Sequence, residues 1–411
     1  MKEIQFNKEL LLPLMEPLLY GTKMLGQLWA NRLLIRIFPY GIFMRSLGVE
    51  AGVLLTDDIV GVGGLFKDAP VMEGAVDGSF FSQVLNSLAD DVPVTLKWSS
   101  DRLSFIQNKY RSSTELFPAE EYPEMKVRTA EETILLDVPS FESLVKLAAP
   151  FGTSNPGVHV KFYYKPKHGV DAMVVTASDG KRLAFYEWFT DQFYRENAEG
   201  GDNDHRQESR FSSDQLVQFL KLFGGIKGEK VRVHFCGEGD LIFEHIQGRI
   251  LRRQIMKTND WKFPELPSVF EQAKNCEFTR LVKEWARLGA MMRRAFTVCD
   301  LEIPVAHLKF FQDRVVVEAA SGNRGHYTEP MELEGDGKVS LMVNPKFVLD
   351  VVTSVRTSLR DDTEGKGQLT IGGYTYHNPL CFHLTGMKNF RALWVVMPMR
   401  RDSAIRTGKG E

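Results

Sequence analysis

The stretch Thr176–Trp188, TASDGKRLAFYEW, places Ser178, Asp179, Lys181 and Arg182 within five residues. These are the types from which a nucleophile, a base and an anion-binding cation are assembled. The frame is wrong for that chemistry: no G-x-S-x-G surrounds Ser178 and no histidine lies nearby. Asp179-Gly180 reads instead as a two-residue hairpin turn between alternating strands. The glycine-rich VGVGGLF at 60–66 lacks the spacing and the Gly-Lys-Ser/Thr ending of a phosphate loop and reads as a hairpin loop. The nine histidines form no H-x-x-x-H or H-E-x-x-H pair. Asp57-Asp58, Asp90-Asp91 and Asp361-Asp362 fall at turns or helix ends, where solvation explains them. Cys236, Cys276, Cys299 and Cys381 are widely separated and read as buried thiols of a reducing cytosol, not as a disulfide or a metal set. No catalytic site, metal or cofactor is expected.

The elements that carry these residues come from a chain of 411 residues, 43% hydrophobic and 25% charged, with a formal net charge of −2. Such a chain is globular and longer than one domain, and no global basic field draws it to nucleic acid. The run LLLPLMEPLLYG makes a poor signal peptide, because Glu9 and Glu16 bracket it and Pro13 and Pro17 interrupt it. No apolar stretch reaches the roughly 18 residues of a membrane span, so a cytoplasmic protein is expected. The segment 194–210, almost without apolar residues, reads as a loop with no assigned site.

One grammar recurs about every 130 residues. In 77–98 a polar start precedes Phe80, Phe81, Val84, Leu85 and Leu88 at helical spacing, then Val92, Val94, Leu96 and Trp98 alternate. The stretches 212–235 and 343–373 repeat it, and a second helical series starts at Phe6, Val138 and Cys276. The chain therefore reads as three tandem domains, 1–130, 131–274 and 275–411, each with two helices among short strands, an α+β class. The helical segments carry cations in all three units: Lys8 and Lys23, Lys146, Lys221 with Lys227 and Lys230, Arg280 with Lys283 and Arg287, and Lys346 with Arg356. Gathered on one surface they would contact phosphates without reading bases.

Near the end, WVVMPMRR sets two methionines around Pro398. Methionine repacks around different partners, and a proline obliges a strand to leave its sheet. VVMPMR, TASDGKRLA, NPKFVLDVV and the stretch from Phe80 to Met125 together resemble the bacterial DNA polymerase III beta subunit, the sliding-clamp family, and the likeness runs in order along the chain. The resemblance implies a head-to-tail homodimer forming a ring of clamp domains around double-stranded DNA, with no catalysis of its own. It also implies a pocket that takes short linear peptides from polymerases and clamp-loader subunits. Carried onto this chain, the pocket comprises Ser178, Gly180, Lys181, Arg182, Leu183, Pro264, Val269, Val395, Val396, Met397, Pro398, Met399 and Arg400. Arg182 and Arg400 would pair with a peptide carboxylate or carbonyl. The DNA-facing set is Lys23, Lys146, Lys221, Arg280, Lys283, Lys346 and Arg356.

Four features depart from the family pattern. Lys181 replaces the usual histidine, Arg401 stands at an apolar terminal position, the tail RDSAIRTGKGE that begins with it extends past the family's usual terminus, and Ser112 and Thr114 occupy a dimer-contact edge that is often large and apolar. Other readings are a divergent paralogue that substitutes for or modulates a host clamp, a protein-interaction scaffold that never touches DNA, and an enzyme, which the missing catalytic set disfavours.

Overall fold

A computed structural model describes residues 2–22, 31–47, 49–54, 69–123, 129–153, 157–164, 170–190, 206–226, 230–260, 276, 278–335, 338–360, 366–373 and 379–399. The chain divides into two compact units, Met1–Glu142 with Pro166–Gly169 and Asp214–Thr258, and Ser143–Lys165 with Val170–Ser213 and Asn259–Glu411. The expected middle segment, 131–274, supplies strands to both units.

The first unit holds two antiparallel sheets. The smaller runs β1 (Lys2–Phe6), β6 (Val94–Trp98), β7 (Arg102–Gln107), β8 (Tyr110–Glu115). The larger runs β5 (Met72–Asp77), β2 (Arg32–Phe38), β3 (Gly41–Ser46), β4 (Val49–Leu54), β16 (Ile250–Met256), β15 (Leu241–Gln247), β14 (Lys230–Cys236), β9 (Ala130–Asp137). The second unit repeats that plan. Its eight strands run β13 (Arg206–Phe211), β10 (Gly157–Tyr164), β11 (Val170–Ser178), β12 (Arg182–Phe189), β24 (Phe390–Val396), β23 (Leu380–Thr385), β22 (Gln368–Gly373), β17 (Phe278–Leu281). Its four run β20 (Gly325–Glu332), β19 (Arg314–Ser321), β18 (Ala306–Phe310), β21 (Val339–Val343).

Each expected segment contributes two described helices: α1 (Lys8–Thr22) and α2 (Gly78–Ser87), α3 (Val138–Ala148) and α4 (Ser213–Phe223), α5 (Trp285–Val298) and α6 (Pro345–Arg360). The repeat is chemical as well as periodic. At the strand-to-helix junctions before α2, α3 and α6, the carboxylate or amide oxygens of Asp77, Asp137 and Asn344 accept the amides of Phe80 (2.7 Å), Ser140 (3.0 Å) and Lys346 (2.9 Å). Such caps satisfy donors that have no partner within the helix. The second helical series was misjudged at Cys276, where residues 278–281 form β17 and the helix starts only at Trp285. Phe278, Leu281, Val282 and Trp285 mimic a helical stripe, but the ladder of Phe278–Leu281 with Gly373–Thr370 wins.

Helix α5 packs on α6 where Gly289 meets Val352; a Cβ on Gly289 would lie 2.7 Å from the valine methyl. Only glycine permits that approach.

Candidate functional site

The turn between β11 and β12 builds itself. Ser178 Oγ accepts the Gly180 amide (3.1 Å) and donates to the Arg182 carbonyl (2.9 Å). Asp179 Oδ1 accepts the amides of Lys181 (3.0 Å) and Arg182 (3.1 Å). Gly180 sits at φ +80, where a side chain would be strained. The turn is one residue longer than an Asp-Gly pair implies, because Lys181 also separates the strands. The Ser178 hydroxyl and the Asp179 carboxylate are therefore spent on the loop.

Arg182 corrects an expectation. Its side chain is 6% exposed and every face of the guanidinium has a partner. Nε donates to Asp179 (2.9 Å), Nη2 to the Pro150 carbonyl (2.7 Å) and Nη1 to Asp350, while the rings of Phe151 and Phe347 lie 5.0 and 4.6 Å from its carbon. Three of the five N–H donors of the fork are engaged inside the fold, and a side chain this buried presents little of itself to a peptide.

The sheet brings the turn to the carboxyl end of β24: Arg182 is registered with Val396 and Leu183 with Val395. Beyond Val396 the chain leaves the ladder. Met397 N donates to Lys181 O (2.9 Å) and Met399 N to Met342 O (2.8 Å), with the donor-less Pro398 between them. Met397 is 46% exposed, Pro398 and Met399 are half-exposed, and Gly180 and Lys181 are exposed. Beneath them Leu183, Leu393, Val395 and Cys381 form a buried cluster against which Phe185 and Cys276 pack. Val396 and Trp394 point to the opposite face, where Trp394 Nε1 donates to the Tyr186 hydroxyl (2.9 Å), which donates to Leu147 O (2.8 Å). Of the residues carried over, then, Lys181, Met397, Pro398 and Met399 make a surface over a floor that includes Leu183 and Val395. Ser178, Arg182 and Val396 are buried structure. Pro264, Val269 and Arg400 lie outside the described residues, as does Lys23.

The cationic set is also redrawn. Arg280 is 1% exposed on β17, and its Nη1 donates to the carbonyls of Phe311 and Leu333 (2.7 Å for the latter). It is an internal strut that faces no solvent. Lys8 is buried, bonded to Leu88 O and paired with Asp90 at 2.6 Å. Lys221 is engaged by Glu16 and lies 5.4 Å from the Tyr20 ring. In the first expected segment, among the described residues, α2 carries no charge and the one cation of α1 is the buried Lys8. Lys146, Lys283, Lys346 and Arg356 are exposed.

Sequence reasoning missed the paired helices α5 and α6 as a unit. Together they carry Arg287, Arg293, Arg294, Lys346, Arg356 and Arg360 against one acid, Asp350, which Arg182 engages. Arg287 and Arg294 turn back to Glu329 (4.0 and 2.6 Å), and Arg293, Lys346, Arg356 and Arg360 stand exposed. The signal was present as an absence of carboxylates from both helices apart from Asp350. Among the described residues no group of three His, Cys, Asp or Glu side chains is placed to hold a metal, and no helix is long and apolar enough to cross a membrane.

No family model matches the chain, and no curated protein matches it. Its likeness to solved structures is extensive. The DNA polymerase III subunit beta of Pseudomonas aeruginosa aligns at a TM-score of 0.76 and 14% identity, covering 97% of this chain and 100% of that one. The beta subunit of Thermotoga maritima aligns at 0.73 and 15% identity, covering 97% and 99%. The DNA polymerase III beta chain of Streptococcus pneumoniae aligns at 0.73 and 16% identity, covering 97% and 100%. The chain has the fold of the bacterial DNA polymerase III sliding clamps.

Proposed function

We propose that this protein is a DNA sliding clamp, a non-catalytic, cytoplasmic processivity factor of three clamp domains per chain that closes as a homodimeric ring around duplex DNA. The observation that carries the reading is the basic face of α5 and α6, four exposed cations with no free acid on either helix, within a clamp fold. Such a face holds phosphates without reading sequence. Among the described residues β8 in one unit and β20 in the other are end strands of their sheets, and each would offer its outer edge to a second copy. Lys181, Met397, Pro398 and Met399 over the Leu183 and Val395 floor would take short apolar peptides from polymerase and clamp-loader subunits. Affinity there rests on methionine contact, because Arg182 is spent.

The test is topological. Protein loaded on closed circular DNA should persist there and be lost when the circle is linearised, whereas a simple affinity binder leaves both with the same salt dependence. Equal loss from both forms overturns the proposal.

A second reading, a divergent paralogue that substitutes for or modulates a host clamp, is favoured by the internal saturation of Arg182 and by Lys181 in place of the family's histidine. It expects weak competition for peptides that a conventional clamp binds tightly.

A further inference from the structure

Cys276 and Cys381 are far apart in sequence, and the fold brings them together. Cys381 on β23 is 1% exposed and belongs to the buried cluster with Leu183, Leu393 and Val395. Cys276, two residues before β17, packs against that cluster and remains half-exposed. Both are free thiols, and their side chains hydrogen-bond to each other. Cys236 Sγ faces the His234 carbonyl and Cys299 Sγ the Val305 carbonyl, and Cys381 Sγ also lies 3.9 Å from the Pro379 carbonyl; among the described residues only Cys276 and Cys381 face another thiol.

We infer that Cys276 and Cys381 form an oxidation site, closing to an intramolecular disulfide when the protein meets a peroxide. The two thiols divide the work. The hydrogen bond with Cys381 holds the Cys276 thiol below its ordinary value despite burial, and that contact together with burial pushes Cys381 up. Cys276, the accessible member, is the attacking thiolate. Its sulfur displaces hydroxide from hydrogen peroxide, giving a sulfenic acid. The Cys381 sulfur then attacks the Cys276 sulfur and releases water, so two thiols and one peroxide become one disulfide and two waters. The burial of Cys381 keeps it from competing peroxide, so it serves as the resolving thiol. The bond would fasten the chain entering β17 to the floor shared by Leu183 and Val395. The inference stands on the thiol pair and does not depend on the clamp reading.

The full-length protein is treated with hydrogen peroxide, denatured, alkylated and mapped by mass spectrometry. A cross-linked peptide pair containing Cys276 and Cys381, lighter by two hydrogens and opened by dithiothreitol, is expected, with Cys236 and Cys299 alkylated. Recovery of Cys276 as sulfinic acid or as free thiol, without the cross-link, overturns the inference. Melting gives a second reading: oxidised protein should melt above reduced protein, and Cys276→Ser should abolish the difference. A lower melting temperature on oxidation would mean that the thiols are misplaced for bonding, which also overturns it.

Discussion

Arg182 and Asp350 stand 168 positions apart and meet in an ion pair in which the arginine side chain is 6% exposed and the aspartate 27%. Breaking such a pair strands a charge that the fold had desolvated. Arg182→Ala is expected to cost about 3 kcal/mol, the low end for a buried pair because Asp350 keeps some solvent. Urea unfolding measures it. If Arg182 were instead a peptide contact, stability would hold and only binding would fall.

Met397→Ala and Met399→Ala should do the reverse. Each is expected to weaken binding of an apolar polymerase-tail peptide by roughly 5-fold, about 1 kcal/mol, while the melting curve stays in place. Fluorescence polarisation with a labelled peptide reads the first effect and calorimetry the second.

The exposed cations of α5 and α6 make a prediction about salt. Removing Arg293, Lys346 and Arg356 one at a time should each reduce the slope of log affinity against log salt by about 0.9 on duplex DNA. Arg280→Ala, by contrast, should unfold the protein at lower denaturant and leave the slope of the surviving fold unchanged, because its guanidinium faces the Phe311 and Leu333 carbonyls.

Strand β20 carries its own restraint on pairing. Pro330 is registered with Val316, has no amide proton, and its carbonyl accepts from Arg287 Nη2 at 3.2 Å. The open edge is therefore closed to ladder bonds at that position, leaving the Gly325–Thr328 end for a partner strand. In the proposed homodimer, Pro330→Val should tighten association by about 1 kcal/mol, roughly 5-fold in dissociation constant, read by analytical ultracentrifugation.

His159 supplies the pH dependence. Burial pushes its imidazole down from 6.5 to about 4, with the neighbouring Glu208 opposing the shift. The folded protein therefore holds the ring neutral while the unfolded chain takes up a proton below about pH 6.5. Stability is intact above pH 6.5 and falls as pH drops toward 4, the loss reaching about 2–3 kcal/mol at pH 4.5. Urea midpoints across that window should fall for the native protein and flatten in His159→Gln.

What the sequence disclosed followed from local rules. The apolar periods marked the helices of the repeat, Asp179-Gly180 marked a turn, and the methionines around Pro398 marked a strand that ends and exposes its side chains. What stayed hidden depends on partners supplied from far along the chain. Nothing near Arg280 announces that carbonyls at 311 and 333 will consume it, nor does anything near Arg182 announce Asp350 or Pro150. The pairing of Cys276 with Cys381 is equally non-local. Positive charge on a segment predicts a face only when tertiary contacts leave it there.

The place of β24 between β12 and β23 bears on how the protein is made. Tyr186 and Trp394, joined by a hydrogen bond, lie 208 positions apart. Strand β12 must therefore wait, as the chain emerges from the ribosome, until β24 has been synthesised. Pairings of such separation form slowly and leave a bare apolar strand in the interval. On the proposed reading, the methionine surface follows directly from β24, so a nascent or truncated chain has no peptide site to offer until this eight-stranded sheet has closed.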